Sequence, residues 1–410
     1  MSGAGVLAAL LGTADDAAPQ VLADIADGVG LTGLVRHGGR RELAVLRSRA
    51  LGHGPIVRVR PSRRGRRVRT LLRAALSGGA LGPFSDGDGG LLTPVLAASK
   101  VDAARTRLTA GSGGGLVGLT TRDGQPAVLR IGRPGAIGDP RQTQKTLRLL
   151  ADAGAERVPR PIAEGVAGPL AWTLEQRLPG RAPRQVSGAL LREAARFCAA
   201  LPVLPAPPTP PAPPTPSAPS APSALHHASR PRTESGWVPL LALPRASARY
   251  LPRLSARCQE LADTLAERLA GLPAVGGHGD LWAGNVLVDG RGRLTGVVDW
   301  DAYSGQALPG VDVLHLAATQ RRLGQHRSLG AEALSRPWQD PVVADALDIL
   351  WQQLEIEVSA AQRDAVGMAW WACQAGTDLL RTPCLAADAV WVQENVQQVL
   401  DAWPQLLERG

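Results

Sequence analysis

HGDLWAGN (278–285), followed by VVDWD (297–301), places a histidine, a carboxylate and an amide within eight residues and two further carboxylates after a short apolar stretch. The stretch between them, VLVDGRGRLTGVV (286–298), reads as strand, Asp289-Gly290 turn and strand. Asn285 stands just before the outgoing strand and Asp299 just after the returning one, so an antiparallel hairpin brings them together. An amide oxygen and a carboxylate are the hard oxygen ligands that Mg²⁺ takes. Asp280, five residues before Asn285, lies on the approaching loop and can face that spot from the substrate side. The layout is that of phosphoryl transfer: one acid accepts the proton of a hydroxyl, and an Asn and a second acid hold metal and phosphates. His278 is expected to orient the loop by hydrogen bonding and not to act as the base. Trp282 and Trp300 are read as packing residues beneath it.

Upstream, GSGGGLVGLTTRDGQPAVLRIG (111–132) reads as strand, Asp123-Gly124 turn and strand, the dipeptide being a hairpin signal. A helix is predicted from Asp139-Pro140, an N-cap acid with Pro at the first position, to Gly154. VPRPIAEGVAG and LAWTLEQRL are further strands, ending at Pro179-Gly180. Residues 185–201 form a helix that runs into PVLPAPPTPPAPPTPSAPSAPS (202–223), eleven prolines with no charge. Such a stretch is a polyproline-type spacer inserted in a domain. LPRLSARCQELADTLAERLAGL (251–272) is an amphipathic helix leading into the loop, and the pattern after 311 is helical almost throughout.

Residues 1–95 are harder to read. RELAVLRSRA and RVRTLLRAAL have helix-like spacing, whereas GPIVRVR alternates like a strand. Thirteen arginines fall between Arg36 and Arg73. No aromatic residues interleave with them and no nucleic-acid motif occurs, so a solvated face or a domain contact is favoured over nucleic acid. Residues 1–100 carry fourteen Arg or Lys against seven Asp or Glu, while residues 301–410 carry seven against fourteen. That acidic balance suits a cationic acceptor but equally fits solvated helix faces, so a sugar-type acceptor stays open.

The four cysteines are far apart with no C-x-x-C pair, which argues against a zinc framework or a disulfide scaffold and for buried thiols in a reducing cytosol. The apolar N-terminal run has no basic residue before it, and no stretch approaches the ~20 apolar residues of a membrane span. A cytoplasmic location without membrane contact is expected. No P-loop lysine, G-x-S-x-G elbow or H-E-x-x-H occurs.

H-G-D-L-W-x-G-N-V-L-V-D followed by V-V-D-W-D resembles the aminoglycoside phosphotransferase and choline kinase-like family of the protein-kinase-like fold. The resemblance covers about 105–410. It implies an α+β, bilobal protein-kinase-like fold: a small β-rich N-lobe (96–180), a larger helical C-lobe (181–410) and an extra N-terminal region (1–95). It implies an ATP-dependent kinase, with GTP the alternative donor, that phosphorylates a hydroxyl of a small acceptor: an amino sugar, amino alcohol or sugar. Asp280 would be the base, with His278 beside it, and Asn285 and Asp299 would hold Mg²⁺. Asp301 would support the metal loop and Asp312 would brace the catalytic loop. In this family a sheet-lobe lysine meets the phosphates, paired with a Glu on the next helix. Arg130 stands at that position, and the helix offers only Gln142, Gln144 and Lys145 nearby. Gly113 and Gly114 would cover the phosphates, and Gln176 and Leu178 would read the adenine from the hinge. The departure at Arg130 leaves a second reading open, a nucleotide-binding pseudokinase whose N-terminal region or Pro-rich insertion binds a protein partner.

Overall fold

A computed structural model describes residues 31–36, 44–48, 92–102, 106–110, 116–132, 134, 139–168, 170–203 and 242–408. Gly113 and Gly114, the strand expected at GPIVRVR, the helix expected at RVRTLLRAAL and the Pro-rich stretch beyond 203 lie outside them. The chain divides into two compact units. One runs to Leu178 and includes Asp299–Asp301, and the other comprises Pro179–Val298 and Ala302 onward.

In the first unit, β1 (Leu31–Arg36) pairs antiparallel with β2 (Ala44–Ser48). The helix-like spacing of RELAVLRSRA is therefore overturned at 44–48. A run as short as Ala-Val-Leu carries no period that separates helix from strand, and pairing decides. Next come α1 (Leu92–Ser99), β3 (Arg107–Ala110), β4 (Leu116–Arg122), β5 (Gln125–Gly132), α2 (Pro140–Asp152), β6 (Pro161–Ala167) and β7 (Leu170–Gln176). The five strands form one antiparallel sheet in the order β3-β4-β5-β7-β6. Its register is pinned at Asp123-Gly124. Both residues take left-handed backbone (φ 52° and 76°), the two-residue turn that this dipeptide favours, and Arg122 then faces Gln125. Helix α2 begins as expected: the Asp139 side chain accepts the Arg141 N–H, and Pro140 occupies the first position.

One core of this unit gathers Leu116, Ala127, Leu129, Ile131, Leu170, Trp172 and Leu174, with Val95 of α1 fully buried among them. The core therefore begins before residue 96. Val95→Asp would set an unpaired carboxylate in that apolar cluster. The expected cost is about 3 kcal/mol or more, read as a lower urea midpoint. An unchanged midpoint would mean that α1 adds nothing to the unit.

The second unit is helical around two short antiparallel strand pairs. Its elements are α3 (Gly188–Ala199), α4 (Ala242–Tyr250), α5 (Ser255–Arg268), β8 (Val275–Gly277), β9 (Val286–Val288), β10 (Leu294–Val297), β11 (Ser304–Ala307), α6 (Val311–Gln325), α7 (Leu329–Leu334), α8 (Pro341–Gln353), α9 (Ala360–Arg381), α10 (Ala389–Val392) and α11 (Gln398–Glu408). Helix α9 supplies most of the centre, burying Met368, Trp370 and Trp371, and is started by a Ser359/Gln362 capping box. β9 pairs with β10 and β8 with β11. The β9–β10 turn is longer than the expected dipeptide. Asp289 accepts the Arg291 and Arg293 N–H groups, and the left-handed residue is Gly292 (φ 80°), not Gly290. Three cysteines are buried as expected, but Cys384 is exposed, because the short turn 383–387 after α9 buries no residue. Among the described residues no helix is long and apolar enough to cross a membrane.

Candidate functional site

In the second unit the loop after β8 holds the catalytic candidates in a net of backbone bonds. Asp312, near the start of α6, accepts the His278 N–H at 2.6 Å on one oxygen and the Gly279 N–H at 3.0 Å on the other. Gly279 cannot be another residue. Its φ is 78°, and a Cβ there would lie 2.2 Å from Ala302 O. His278 is wholly buried; its Nδ1 accepts the Asp280 N–H and its Nε2 lies 3.0 Å from Val298 O. The ring is thus a neutral donor and acceptor that ties the loop to the end of β10.

Asn285 donates its side-chain amide to Asp280 O at 2.9 Å. That bond fixes the flip, so Oδ1 is the atom left for a cation. The Asn285 carbonyl accepts the Val298 N–H at 2.9 Å, one residue before Asp299. Trp282 packs where a side chain on Gly284 would go, and in the first unit Trp300 is fully buried. Both are packing residues.

The Asp280 carboxylate is about one-third exposed. Oδ1 lies 3.2 Å from His315 Nε2, and Oδ2 lies 4.0 Å from the Arg381 guanidinium at the end of α9. Burial alone would raise its pKa. The hydrogen bond from His315, with the Arg381 guanidinium nearby, outweighs burial and holds it below the ordinary value.

In the first unit Arg130 on β5 lies between two carboxylates, Glu175 on β7 at 3.2 Å and Asp299 at 3.0 Å. Burial works against the guanidinium's charge, but the two carboxylates outweigh it and raise its pKa. Burial raises the pKa of Glu175, against the pull of Arg130. Asp299 has left-handed backbone (φ 72°), unusual for a side chain with a Cβ and a mark of local constraint. Thr173, opposite Arg130 across the strands, is buried with no partner for its hydroxyl.

The carboxylate partner of Arg130 thus comes from the neighbouring strand and not from α2. Gln144 turns its amide to Ala163 O and Leu174 O, and Lys145 is exposed. The signal for Glu175 lies in strand alternation: Arg130 is opposite Thr173, and Glu175 is two residues on, on the same face. His315 was also missed. Its signal is polar spacing, for Asp312, His315 and Thr319 recur at i, i+3 and i+7 in the first half of the helix, which is buried and otherwise apolar. Gln176 ends β7 with its N–H donated to Arg160 O, and the Arg177 N–H goes to Pro126 O. Leu178 is the next backbone donor along this segment. Asp301 lies exposed in the short turn 300–302.

Among the described residues no three His, Cys, Asp or Glu side chains converge as a metal cage. Taken separately, the amide of Asn285 in the second unit and the carboxylate of Asp299 in the first are oxygen donors of the kind Mg²⁺ takes beside waters and phosphates. Asn285 offers Oδ1, and Asp299 uses only one oxygen on Arg130.

Residues 116–370, more than half of the chain, match the profile of the phosphotransferase enzyme family (APH). No curated protein matches. Solved structures align at low identity. A thermostable mutant of aminoglycoside phosphotransferase APH(4)-Ia, in complex with ADP and hygromycin B, is 16% identical with a TM-score of 0.46, over 75% of this chain and 97% of that one. Macrolide 2'-phosphotransferase MphH from Brachybacterium faecium is 17% identical with a TM-score of 0.45, over 74% and 96%. Aminoglycoside phosphotransferase APH(3'')-Id from Streptomyces rimosus, in complex with ADP and streptomycin, is 16% identical with a TM-score of 0.43, over 69% and 96%.

Proposed function

The chain belongs to the phosphotransferase enzyme family; from that premise we propose that it moves the γ-phosphoryl group of ATP to a hydroxyl of a small-molecule alcohol, with Asp280 as the base. The observation that carries this reading is the loop of the second unit, where Asp312, His278 and Asn285 fix the backbone on both sides of a partly exposed, ionised Asp280.

The acceptor hydroxyl hydrogen-bonds to Asp280. Its oxygen forms the new bond to the γ-phosphorus as the bond from that phosphorus to the β–γ bridging oxygen breaks, and ADP leaves. The proton of the hydroxyl passes to Asp280. In a loose transition state the proton moves late, so a carboxylate with a low pKa suffices and its position matters more than its basicity. Arg130 contributes a fixed positive charge toward the phosphates, and Glu175 holds that guanidinium in place. Asn285 and Asp299 would hold Mg²⁺, which when bound neutralises charge on the phosphate oxygens. Leu178 offers a backbone donor to the adenine.

A thermal shift with ATP and with GTP, each with and without magnesium, tests the reading. A ligand at 100 times its Kd stabilises by about 2.7 kcal/mol. Stabilisation that needs magnesium and disappears in Asp299→Ala is expected. No shift with either nucleotide would leave a family member that binds no nucleotide, and would move attention to its N-terminal region as a partner-binding segment.

A further inference from the structure

His315 sits on α6 one turn after Asp312, 6% exposed, in a row with Thr319. On its Asp280 side, Nε2 is 3.2 Å from Oδ1. On its far side, Nδ1 is 3.4 Å from Trp370 Nε1 of α9 and 3.4 Å from Thr319 Oγ1. An indole N–H can only donate, so Nδ1 is an acceptor and the ring proton is on Nε2, facing the carboxylate. A buried histidine among apolar neighbours needs only one partner to be satisfied. This one is held at both nitrogens, in the tautomer that presents a donor to Asp280.

We propose that His315 is a positioning residue for phosphoryl transfer: through its Nε2–H it locks one oxygen of Asp280 and leaves the other, Oδ2, to take the acceptor's proton. The inference rests on Asp280 being the base. Without the lock the carboxylate turns freely about its last torsion, and the oxygen meant for the hydroxyl spends little time in line. Helix α6 then carries two functions on one face. Asp312 fixes the backbone of residues 278 and 279, and His315 fixes the side chain of the residue after them.

The test is a cycle on the full-length protein, with hydrolysis of magnesium-ATP by water as the probe reaction. His315→Phe should lower kcat about 10- to 100-fold and leave the KM for ATP unchanged, as removal of an orienting partner does elsewhere. His315→Gln keeps an N–H near the position of Nε2 and should restore kcat to within about threefold of the native enzyme. In an Asp280→Asn background, His315→Phe should cost nothing further, because a residue that acts through Asp280 has nothing left to position. Native turnover in His315→Phe, an equal loss in His315→Gln, or additive losses with Asp280→Asn would each overturn the proposal. Should His315→Phe fail to fold, Trp370→Phe replaces it, since it frees the tautomer while keeping an aromatic ring. A loss that vanishes in the Asp280→Asn background supports the proposal, and no loss overturns it. Asp280→Asn alone separates the two readings. If it turns over normally, the base assignment falls and the inference with it; if it is dead while His315→Phe is active, only the inference falls.

Discussion

Asp280→Asn is expected to cut transfer to a small residual rate while sparing the nucleotide. A positioned general base contributes about 10²- to 10⁴-fold, and the amide cannot take a proton. The substitution removes a charge but keeps the side chain's shape. His315 and Arg381 then lose an anionic partner without being displaced. The expected signature is a fall in kcat with the magnesium-dependent thermal shift intact. Turnover near the native rate would remove Asp280 from the chemistry. Because the His315 hydrogen bond and the Arg381 guanidinium hold the Asp280 pKa low, the carboxylate is ionised at neutral pH. The acid limb of the pH–rate curve should therefore lie below the usual carboxylate range. An acid limb near pH 6 would point to a different base.

Arg130→Met should damage both stability and nucleotide binding. The methionine fills part of the space but leaves Glu175, 4% exposed, without its cation. Breaking a buried pair on one side costs about 3–5 kcal/mol, mostly as the penalty of the orphaned charge. The pH dependence tells this mechanism from simple loss of packing. Burial already raises the pKa of Glu175, and removing Arg130 takes away the main force opposing that rise. In the variant the folded state binds a proton at higher pH than the unfolded chain does. Stability is then gained as pH falls through the folded pKa and lost again as pH rises through it. The gap in Tm between variant and native protein should therefore narrow on acidification. Replacing both partners, Arg130→Met with Glu175→Leu, should restore much of the stability but not nucleotide binding. A gap independent of pH would mean that the loss is one of packing.

The parts of this molecule legible in the sequence were those set by local rules. Asp123-Gly124 specifies a turn whose two residues both take positive φ, and the sheet register follows from it. Asp139-Pro140 starts a helix by supplying a cap and omitting an N–H with no use there. Spacing alone put Asp280 and Asn285 on one loop. The parts not legible depend on long-range register. Glu175 meets Arg130 across 45 residues of chain, and only the pairing of β5 with β7 selects it over the polar side chains of α2. A single histidine on the buried half of a helix reads as core until a loop from elsewhere in the chain is laid against it, as happens to His315. RELAVLRSRA shows the opposite limit, for a short apolar run takes whichever structure its partner imposes.

The guanidinium at position 130 also decides which reagents can report on this protein. A nucleotide-directed acylating reagent needs a nucleophilic amine beside the phosphates, which a lysine can supply. A guanidinium held between two carboxylates remains protonated and is no nucleophile. The chain's two lysines, Lys100 and Lys145, both have exposed side chains and do not occupy that position. With Arg130 turned toward the phosphates as proposed, a lysine-directed nucleotide probe is expected to leave this protein unlabelled, and its silence there should not be counted as absence.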